Sequence, residues 1–153
     1  MKKFSLLVFT FFLFATCSQV QAQDDEAAVK AVIETMFDGM RAADSAMVHS
    51  AFSDDAIMQT IIPKRGVMSV EEGSLQRFLT GVGTAHEQVY DERIMDYQIK
   101  IDGPMASVWT PYKFYLGKEF SHCGVNSFQL LKKEEGWKII YIVDTRRIEN
   151  CPQ

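Results

Sequence analysis

The sequence contains little cysteine or histidine and carries no excess of basic residues. Its 153 residues include three cysteines and three histidines, and 16 lysines and arginines stand against 20 aspartates and glutamates, which gives a net charge of −4. Nucleic-acid-binding domains usually carry a basic excess, so we predict no nucleic-acid partner. Three scattered histidines and so few cysteines do not predict a metal site.

Several catalytic and cofactor-binding motifs are also missing. The chain contains no HExxH, GxSxG, GxGxxG or phosphate-loop pattern. These patterns are typical of zinc proteases, serine hydrolases, dinucleotide-binding domains and nucleotide triphosphatases, so the sequence gives none of those activities any support. We predict no cofactor.

The longest apolar stretch, residues 4–15, is too short for a membrane span. Twelve helical residues reach roughly 18 Å, whereas the bilayer core is about 30 Å thick. Lys2 and Lys3 precede this stretch, and Val20-Gln21-Ala22 offers small residues for cleavage. The pattern predicts a signal peptide over residues 1–22 and a protein that is periplasmic or secreted, with no integral membrane segment after cleavage. The alternative is a lipoprotein acylated at Cys17.

Cleavage after residue 22 leaves two cysteines, Cys123 and Cys151. Export permits a disulfide between them, which would attach the C-terminal tail to a strand. Two free thiols are the alternative, and the sequence leaves both open. We divide the chain into the signal peptide, one domain over residues 23–147 and a tail over residues 148–153.

Hydrophobic periodicity changes from helical to strand-like along the chain. Apolar residues three and four apart predict a helix over 24–43, and Asp44 is the expected N-cap of a short second helix. Residues 69–72 have the capping-box pattern that opens a third helix. Residues 105–116, 119–132 and 137–145 then predict three strands in consecutive hairpins. Helices followed by an antiparallel sheet indicate an α+β fold.

Two segments carry a resemblance to a known superfamily: VKAVIETMFDGM at 29–40, followed by RAAD, and EGWKII at 135–140. With the order of elements, they resemble the nuclear transport factor 2-like superfamily, which includes SnoaL-like and ketosteroid-isomerase-like proteins. VWTPY at 108–112, SHCGVN at 121–126 and IVDTRR at 142–147 more narrowly resemble exported bacterial members of unassigned activity. The resemblance implies a cone-shaped α+β barrel, with helices on the concave face of a strongly curved antiparallel sheet, a pocket in the cone and often a dimer. The catalytic motif of the ketosteroid isomerases has no counterpart here.

Strand pairing predicts which side chains enter the pocket. A two-residue turn at Gly117-Lys118 places Trp109 opposite Asn126 and Lys113 opposite His122. These four residues would then share one face and bind a ligand. Asp144 joins them if the final hairpin has the matching register.

We therefore carry three hypotheses for the function. The first is an exported small-molecule-binding domain with a conical pocket and an unidentified ligand. The second is an acid–base isomerase or lyase in which His122 is the base and Asp144 orients it. The third is a structural dimer or adaptor whose cone is filled by its own side chains. His86 is expected to lie exposed in a loop.

The same pairing predicts an apolar outer surface on the sheet. Tyr112 and Phe114 fall on the face opposite His122, where Trp137, Ile139 and Tyr141 would join them. An apolar surface of this kind ordinarily needs a partner. We predict a homodimer through it.

Overall fold

The structure is a computed structural model that describes the backbone of residues 4–85 and 87–152 and the side chains of 23–85 and 87–152. The side chains of the predicted signal peptide and the whole of His86 therefore lie outside the described residues. The backbone of residues 4–22 is helical and continuous with the first helix of the domain. Within the described part of the chain, no helix is both long enough and apolar enough to cross a membrane.

Three helices cover one face of the sheet: α1 (Phe4–Ala42), α2 (Ser45–Ser50) and α3 (Leu75–Gly83). Asp44 caps α2 as predicted, because its Oδ1 accepts a hydrogen bond from the backbone N–H of Met47 at 2.9 Å. The predicted apolar stripe of α1 is buried against the sheet: Val29, Ile33, Met36, Phe37 and Met40.

Seven strands form one curled sheet: β1 (Phe52–Lys64), β2 (Val67–Gly73), β3 (Tyr90–Ile94), β4 (Gln98–Asp102), β5 (Met105–Leu116), β6 (Glu119–Lys133) and β7 (Gly136–Thr145). Their order is β2-β1-β7-β6-β5-β3, and β4 also pairs with β5. All pairs are antiparallel except β1 with β7. The α+β fold and the meander of the last three strands are confirmed.

The predicted start of the third helix is wrong. Ser69 lies in β2, opposite Ile62, and α3 is capped instead by Ser74, whose side chain accepts from the backbone N–H of Arg77. Arg65 and Gly66 both have positive φ, of 52° and 81°. Such a pair makes the two-residue turn that suits a hairpin. The chain therefore reverses into a second strand before the helix begins.

A bulge at Ser121 changes the predicted register of β5 and β6. Leu116 opposes Glu119 across the expected turn, but Phe114 opposes His122 because Ser121 is an extra residue in β6. A shift of one residue moves every later side chain relative to its predicted partner. Asn126 consequently lies opposite Thr110, and the prediction that pairs it with Trp109 is wrong.

The shifted register places Tyr112 and Phe114 on the concave face with His122. A second bulge, at Ile140, turns Trp137 and Ile139 into the core as well. Four of the five residues predicted to make an apolar outer surface are therefore inside the domain, and only Tyr141 remains outside. The homodimer stays a prediction, but these residues do not support it.

Cys123 and Cys151 form a disulfide, with 5.6 Å between their Cα atoms. The sequence left open whether these cysteines form a disulfide or remain two free thiols, and the structure has the disulfide. Cys123 also exchanges two backbone hydrogen bonds with Arg147, at 2.8 and 2.9 Å. The C-terminal tail is thus fixed to β6 beside His122.

Candidate functional site

A cavity of about 430 Å³ lies between the helices and the concave face of the sheet. This volume is within the range of small-molecule pockets. Its walls are mostly apolar and rich in methionine and phenylalanine, with contributions from α1, α3 and three strands: Met36, Phe37, Met40, Met58, Phe78, Phe114 and Ile142. Methionine adapts to irregular apolar shapes, so such walls can accommodate the apolar part of a small organic molecule.

Polar side chains gather along one part of the cavity wall, where β3, β5, β6 and β7 run side by side. They are Glu92, Tyr112, His122, Asn126, Asp144 and Arg146. A few convergent polar groups among apolar walls are the usual composition of a ligand site.

Asp144 is held by two donors. The hydroxyl of Tyr112 donates to its Oδ2 at 3.3 Å, and Nε of Arg146 donates to the same oxygen at 2.8 Å. Burial raises the pKa of Tyr112 well above its usual range, and the neighbouring carboxylates of Glu92 and Asp144 raise it further. Tyr112 therefore acts here as a neutral hydrogen-bond donor.

His122 packs between aromatic rings. Its ring lies 5.0 Å from that of Phe114 and 5.8 Å from that of Tyr112, measured between centroids. Burial lowers the pKa of His122, the positive charge of Arg146 lowers it further, and Asp144 opposes both. The imidazole is therefore predominantly neutral at neutral pH.

His122 and Asp144, which were predicted to interact, do not contact each other through a hydrogen bond in the described residues. The Nδ1 atom of His122 lies 3.1 Å from the hydroxyl of Ser121, and no hydrogen bond or ion pair joins the imidazole to Asp144 among the described residues. Both groups line the same cavity. Their catalytic role stays a prediction, without the orienting hydrogen bond that it assumed.

Glu92 is one of three polar residues of the site that the sequence did not predict, the others being Tyr112 and Arg146. The Oε1 atom of Glu92 accepts a hydrogen bond from Nδ2 of Asn126 at 2.7 Å, and that nitrogen lies 3.4 Å from the hydroxyl of Thr110. Burial raises the pKa of Glu92 to about 7, and the charge of Asp144 adds to this, although the hydrogen bond from Asn126 and the positive charge of Arg146 act in the opposite direction. Alternation along β3 places Glu92 on one face with Tyr90 and Ile94, but which way that face points depends on the pairing of β3 with β5.

Three of the five predicted site residues line the cavity: His122, Asn126 and Asp144. Trp109 and Lys113 do not, and their assignment to the ligand site is wrong. Both lie on the outer face, where Trp109 opposes Ser127 and is 49% exposed, and Lys113 opposes Cys123. The bulge at Ser121 is the physical reason.

No group of three or more histidine, cysteine, aspartate or glutamate side chains within the described residues has the arrangement to hold a metal ion.

The comparisons with known proteins agree with the fold. A protein-family profile described as "Putative lumazine-binding" matches residues 24–143. No curated protein sequence matches the chain.

Many solved structures share the architecture at low sequence identity. A nuclear transport factor 2-like protein with a cystatin-like fold from Novosphingobium aromaticivorans superposes with a TM-score of 0.70 at 8% identity, over 88% of this chain and 89% of that one. A nuclear transport factor 2-like protein of unknown function from Shewanella baltica gives 0.61 at 18% identity, over 81% and 94%. A "putative dehydratase" of the same superfamily from Streptomyces avermitilis gives 0.63 at 15% identity, over 84% and 99%. At these identities the likeness establishes the fold alone.

Proposed function

Because the chain belongs to the "Putative lumazine-binding" family, within the nuclear transport factor 2-like superfamily, we propose that it is an exported protein that binds a planar heteroaromatic molecule. One observation carries the proposal: a cavity of about 430 Å³ with apolar walls and a cluster of polar groups on one side. Lumazine, the molecule in the family's description, is a fused pair of flat rings with carbonyl and N–H groups on one ring.

The walls of the cavity suit a flat ring system. Phe37, Phe78 and Phe114 come from three different elements, and methionine thioethers lie between them. Aromatic rings and sulfur atoms both make favourable contacts with aromatic ligands. Asn126, Asp144 and Arg146 supply donors and acceptors for the polar edge of a heterocycle.

The two other hypotheses receive less support. An isomerase or lyase built on His122 and Asp144 needs the histidine oriented by the carboxylate, and Nδ1 of His122 lies against Ser121 instead. An adaptor with a filled cone needs no cavity, whereas the cavity here is large enough for a ligand.

The test is calorimetric titration of the purified protein with lumazine and with a flavin. We expect binding to the wild type and a loss of at least about tenfold in affinity for Ile142→Trp, because the indole would occupy the cavity. Trp109→Ala is the matched control, since Trp109 lies on the outer face, and it should bind like the wild type. Equal affinity of Ile142→Trp and wild type, with both folded by circular dichroism, would contradict the proposal.

Export has its own test, the intact mass of the protein isolated from the cells that make it. Cleavage after Ala22 predicts a chain that begins at Gln23. A mass corresponding to an acylated chain that begins at Cys17 would favour the lipoprotein alternative, and an uncleaved chain would contradict export by this signal.

A further inference from the structure

Glu92 occupies an unusual position among the polar groups of the cavity. It lies on β3, opposite Phe114, and its side chain reaches past β5 to the amide of Asn126 on β6. That hydrogen bond engages Oε1. The other oxygen, Oε2, makes no hydrogen bond to the protein among the described residues.

The two carboxyl groups of the cavity differ in their counterions. Asp144 is paired with Arg146 through a hydrogen-bonded contact of 2.8 Å. Glu92 forms no ion pair within the described residues, and the donor that it does have, Asn126, is a neutral amide. Two carboxylates close together in apolar surroundings do not both stay ionised, and the one without a cation keeps the proton.

Charged and titratable groups approach Glu92 from two sides. On the cavity side they are Arg77 of α3, Tyr90 of β3, Tyr112 of β5, His122 of β6, Asp144 of β7 and, directly after that strand, Arg146. Glu92 also borders a smaller cleft of about 330 Å³, with Glu34, Asp38 and Arg41 of α1 and with Arg93 and Tyr97.

The cations on the cleft side are already engaged. Arg41 pairs with Asp38 and Asp91, and Arg93 pairs with Asp91. Arg41 reaches Glu92 only at its backbone carbonyl, at 3.3 Å. No arginine therefore neutralises the Glu92 carboxyl from that side.

We propose that Glu92 determines the ligand specificity of the cavity: as a neutral carboxylic acid it donates a hydrogen bond from Oε2 to a carbonyl oxygen of the ligand. The ligand class is then the heteroaromatic cyclic amides and imides, in which a ring carbonyl adjoins a ring N–H. Oδ1 of Asp144 makes no hydrogen bond within the described residues and provides an acceptor for such an N–H. This inference rests on the proposed function, since it names the chemistry of the molecule that the cavity binds.

The protonation of Glu92 gives the proposal a pH dependence with a definite sign. Burial raises the pKa of Glu92 to about 7. Below that pH the group donates to a carbonyl, and above it the carboxylate repels the same oxygen. Affinity for a cyclic amide should therefore fall by about tenfold for each pH unit above 7 if binding requires the protonated acid.

The experiment titrates lumazine into the wild type, Glu92→Gln and Glu92→Met between pH 5.5 and 8.5. Glutamine reproduces the protonated acid, because its carbonyl accepts from Asn126 while its NH₂ group donates to the ligand. We expect Glu92→Gln to match the wild type at pH 6 within about threefold and to lack the wild type's additional loss above pH 7. Glu92→Met should bind about tenfold more weakly at pH 6.

Pteridine, which lacks the ring carbonyls of lumazine, is the second probe. The wild type should prefer lumazine to pteridine by about tenfold, and Glu92→Met should lose most of that preference. An equal preference in both proteins, or the same pH profile for the wild type and Glu92→Gln, overturns the role of Glu92.

A third measurement needs no ligand and separates the two proposals. Carbon-13 NMR of the free protein should show one glutamate carboxyl titrating near pH 7 in the wild type and absent from Glu92→Gln. A midpoint near 4.5 for Glu92 overturns the inference whether or not lumazine binds. Failure of the wild type to bind lumazine at pH 6 overturns the ligand class and the proposed function together.

Discussion

The hydroxyl of Tyr112 lies 3.0 Å from the backbone carbonyl of Thr145, so its one proton is shared between this carbonyl and Oδ2 of Asp144. These residues lie on β5 and β7, with β6 between them, and the residue of β6 opposite Tyr112 is Gly124. A Cβ atom at Gly124 would lie 1.7 Å from the carbonyl oxygen of Thr145 and 3.0 Å from Cε1 of Tyr112. Glycine at this position is therefore what lets the phenol cross β6 and reach the polar part of the cavity.

We expect Gly124→Ala to lower the free energy of unfolding by about 3 kcal/mol, at the upper end of overpacking costs, because the nearest obstacle is backbone. Gly81→Ala is the matched control, since a Cβ there has no neighbour within 4 Å and the residue lies in α3. Alanine favours helix, so this variant should be as stable as the wild type or slightly more. Urea denaturation compares the two, and a similar midpoint for both variants would contradict the close contact at Gly124.

Glu92 should make stability depend on pH. Its pKa of about 7 in the folded protein exceeds the ordinary value of 4.5, so the folded chain binds more protons than the unfolded chain between these values. The stabilisation is complete below about pH 4.5 and is lost as the pH rises through 7. Relative to Glu92→Gln, the wild type should lose up to about 3 kcal/mol between pH 5 and pH 8.

Chemical denaturation across that pH range measures the difference. Glu134→Gln removes an exposed carboxylate in the turn between β6 and β7 and serves as the control, with a profile parallel to that of the wild type. Parallel profiles for the wild type and Glu92→Gln would mean that Glu92 is ionised in the folded protein at neutral pH.

The pKa of His122 should lie below its usual value, because the ring is half-buried and the positive charge of Arg146 acts on it. Stability then decreases as the pH falls below about 6.5, since the unfolded chain takes up the proton more readily. Replacing Arg146 with glutamine removes the positive charge that lowers the pKa of His122 and leaves the carboxylate of Asp144, which raises it. The pKa of His122 should therefore rise in this variant. Proton NMR of the imidazole measures both values, and an unchanged pKa in Arg146→Gln would show that the arginine does not act on this ring.

The disulfide should contribute substantially to stability, because it joins residues 28 apart in the sequence. The chain-entropy relation gives about 3–4 kcal/mol for a loop of this size. Cys151→Ser should lower the unfolding midpoint, and a reductant should lower that of the wild type but not that of the variant. If reductant leaves the unfolding midpoint of the wild type unchanged, the disulfide contributes little to stability.

A homodimer through the outer face of the sheet remains our expectation, now centred on Trp109. In the strand ladder Trp109 opposes Ser127, which opposes Val143, and none of these three side chains is charged. Light scattering should give twice the mass of one chain for the wild type and a monomer for Trp109→Glu. Lys118→Glu, in the turn between β5 and β6, is the control and should stay dimeric. A wild-type monomer at micromolar concentration would contradict the expectation.

The sequence predicted the elements better than their register. Alternation located β5, β6 and β7, and the Gly117-Lys118 turn was correct, because these signals are local. The bulges at Ser121 and Ile140 leave no mark in the alternation, since the segments around them mix apolar and polar residues at consecutive positions. Because of the one extra residue at Ser121, Trp109 lies on the outer face and not on the cavity face where it was predicted.

The candidate site was predicted in part for the same reason. His122 and Asn126 stay on one face of β6 whichever way it pairs with β5, so their shared position survived the error. Glu92 lies between Asp91 and Arg93, and three consecutive charged residues predict a strand whose side chains are exposed to solvent. Its inward direction follows from the pairing of β3 with β5, which is a long-range contact that the sequence does not display.

The parallel pairing of β1 with β7 has a consequence for the order of assembly. Ile57 and Tyr141 are neighbours across this ladder although 84 positions separate them in the chain. The β1–β2 hairpin can form early, but it cannot join the rest of the sheet until β7, the strand with which β1 pairs, has been synthesised. Contacts so distant in sequence slow the search for the native state. The chain therefore completes its hollow interior only once β7 is available to pair with β1.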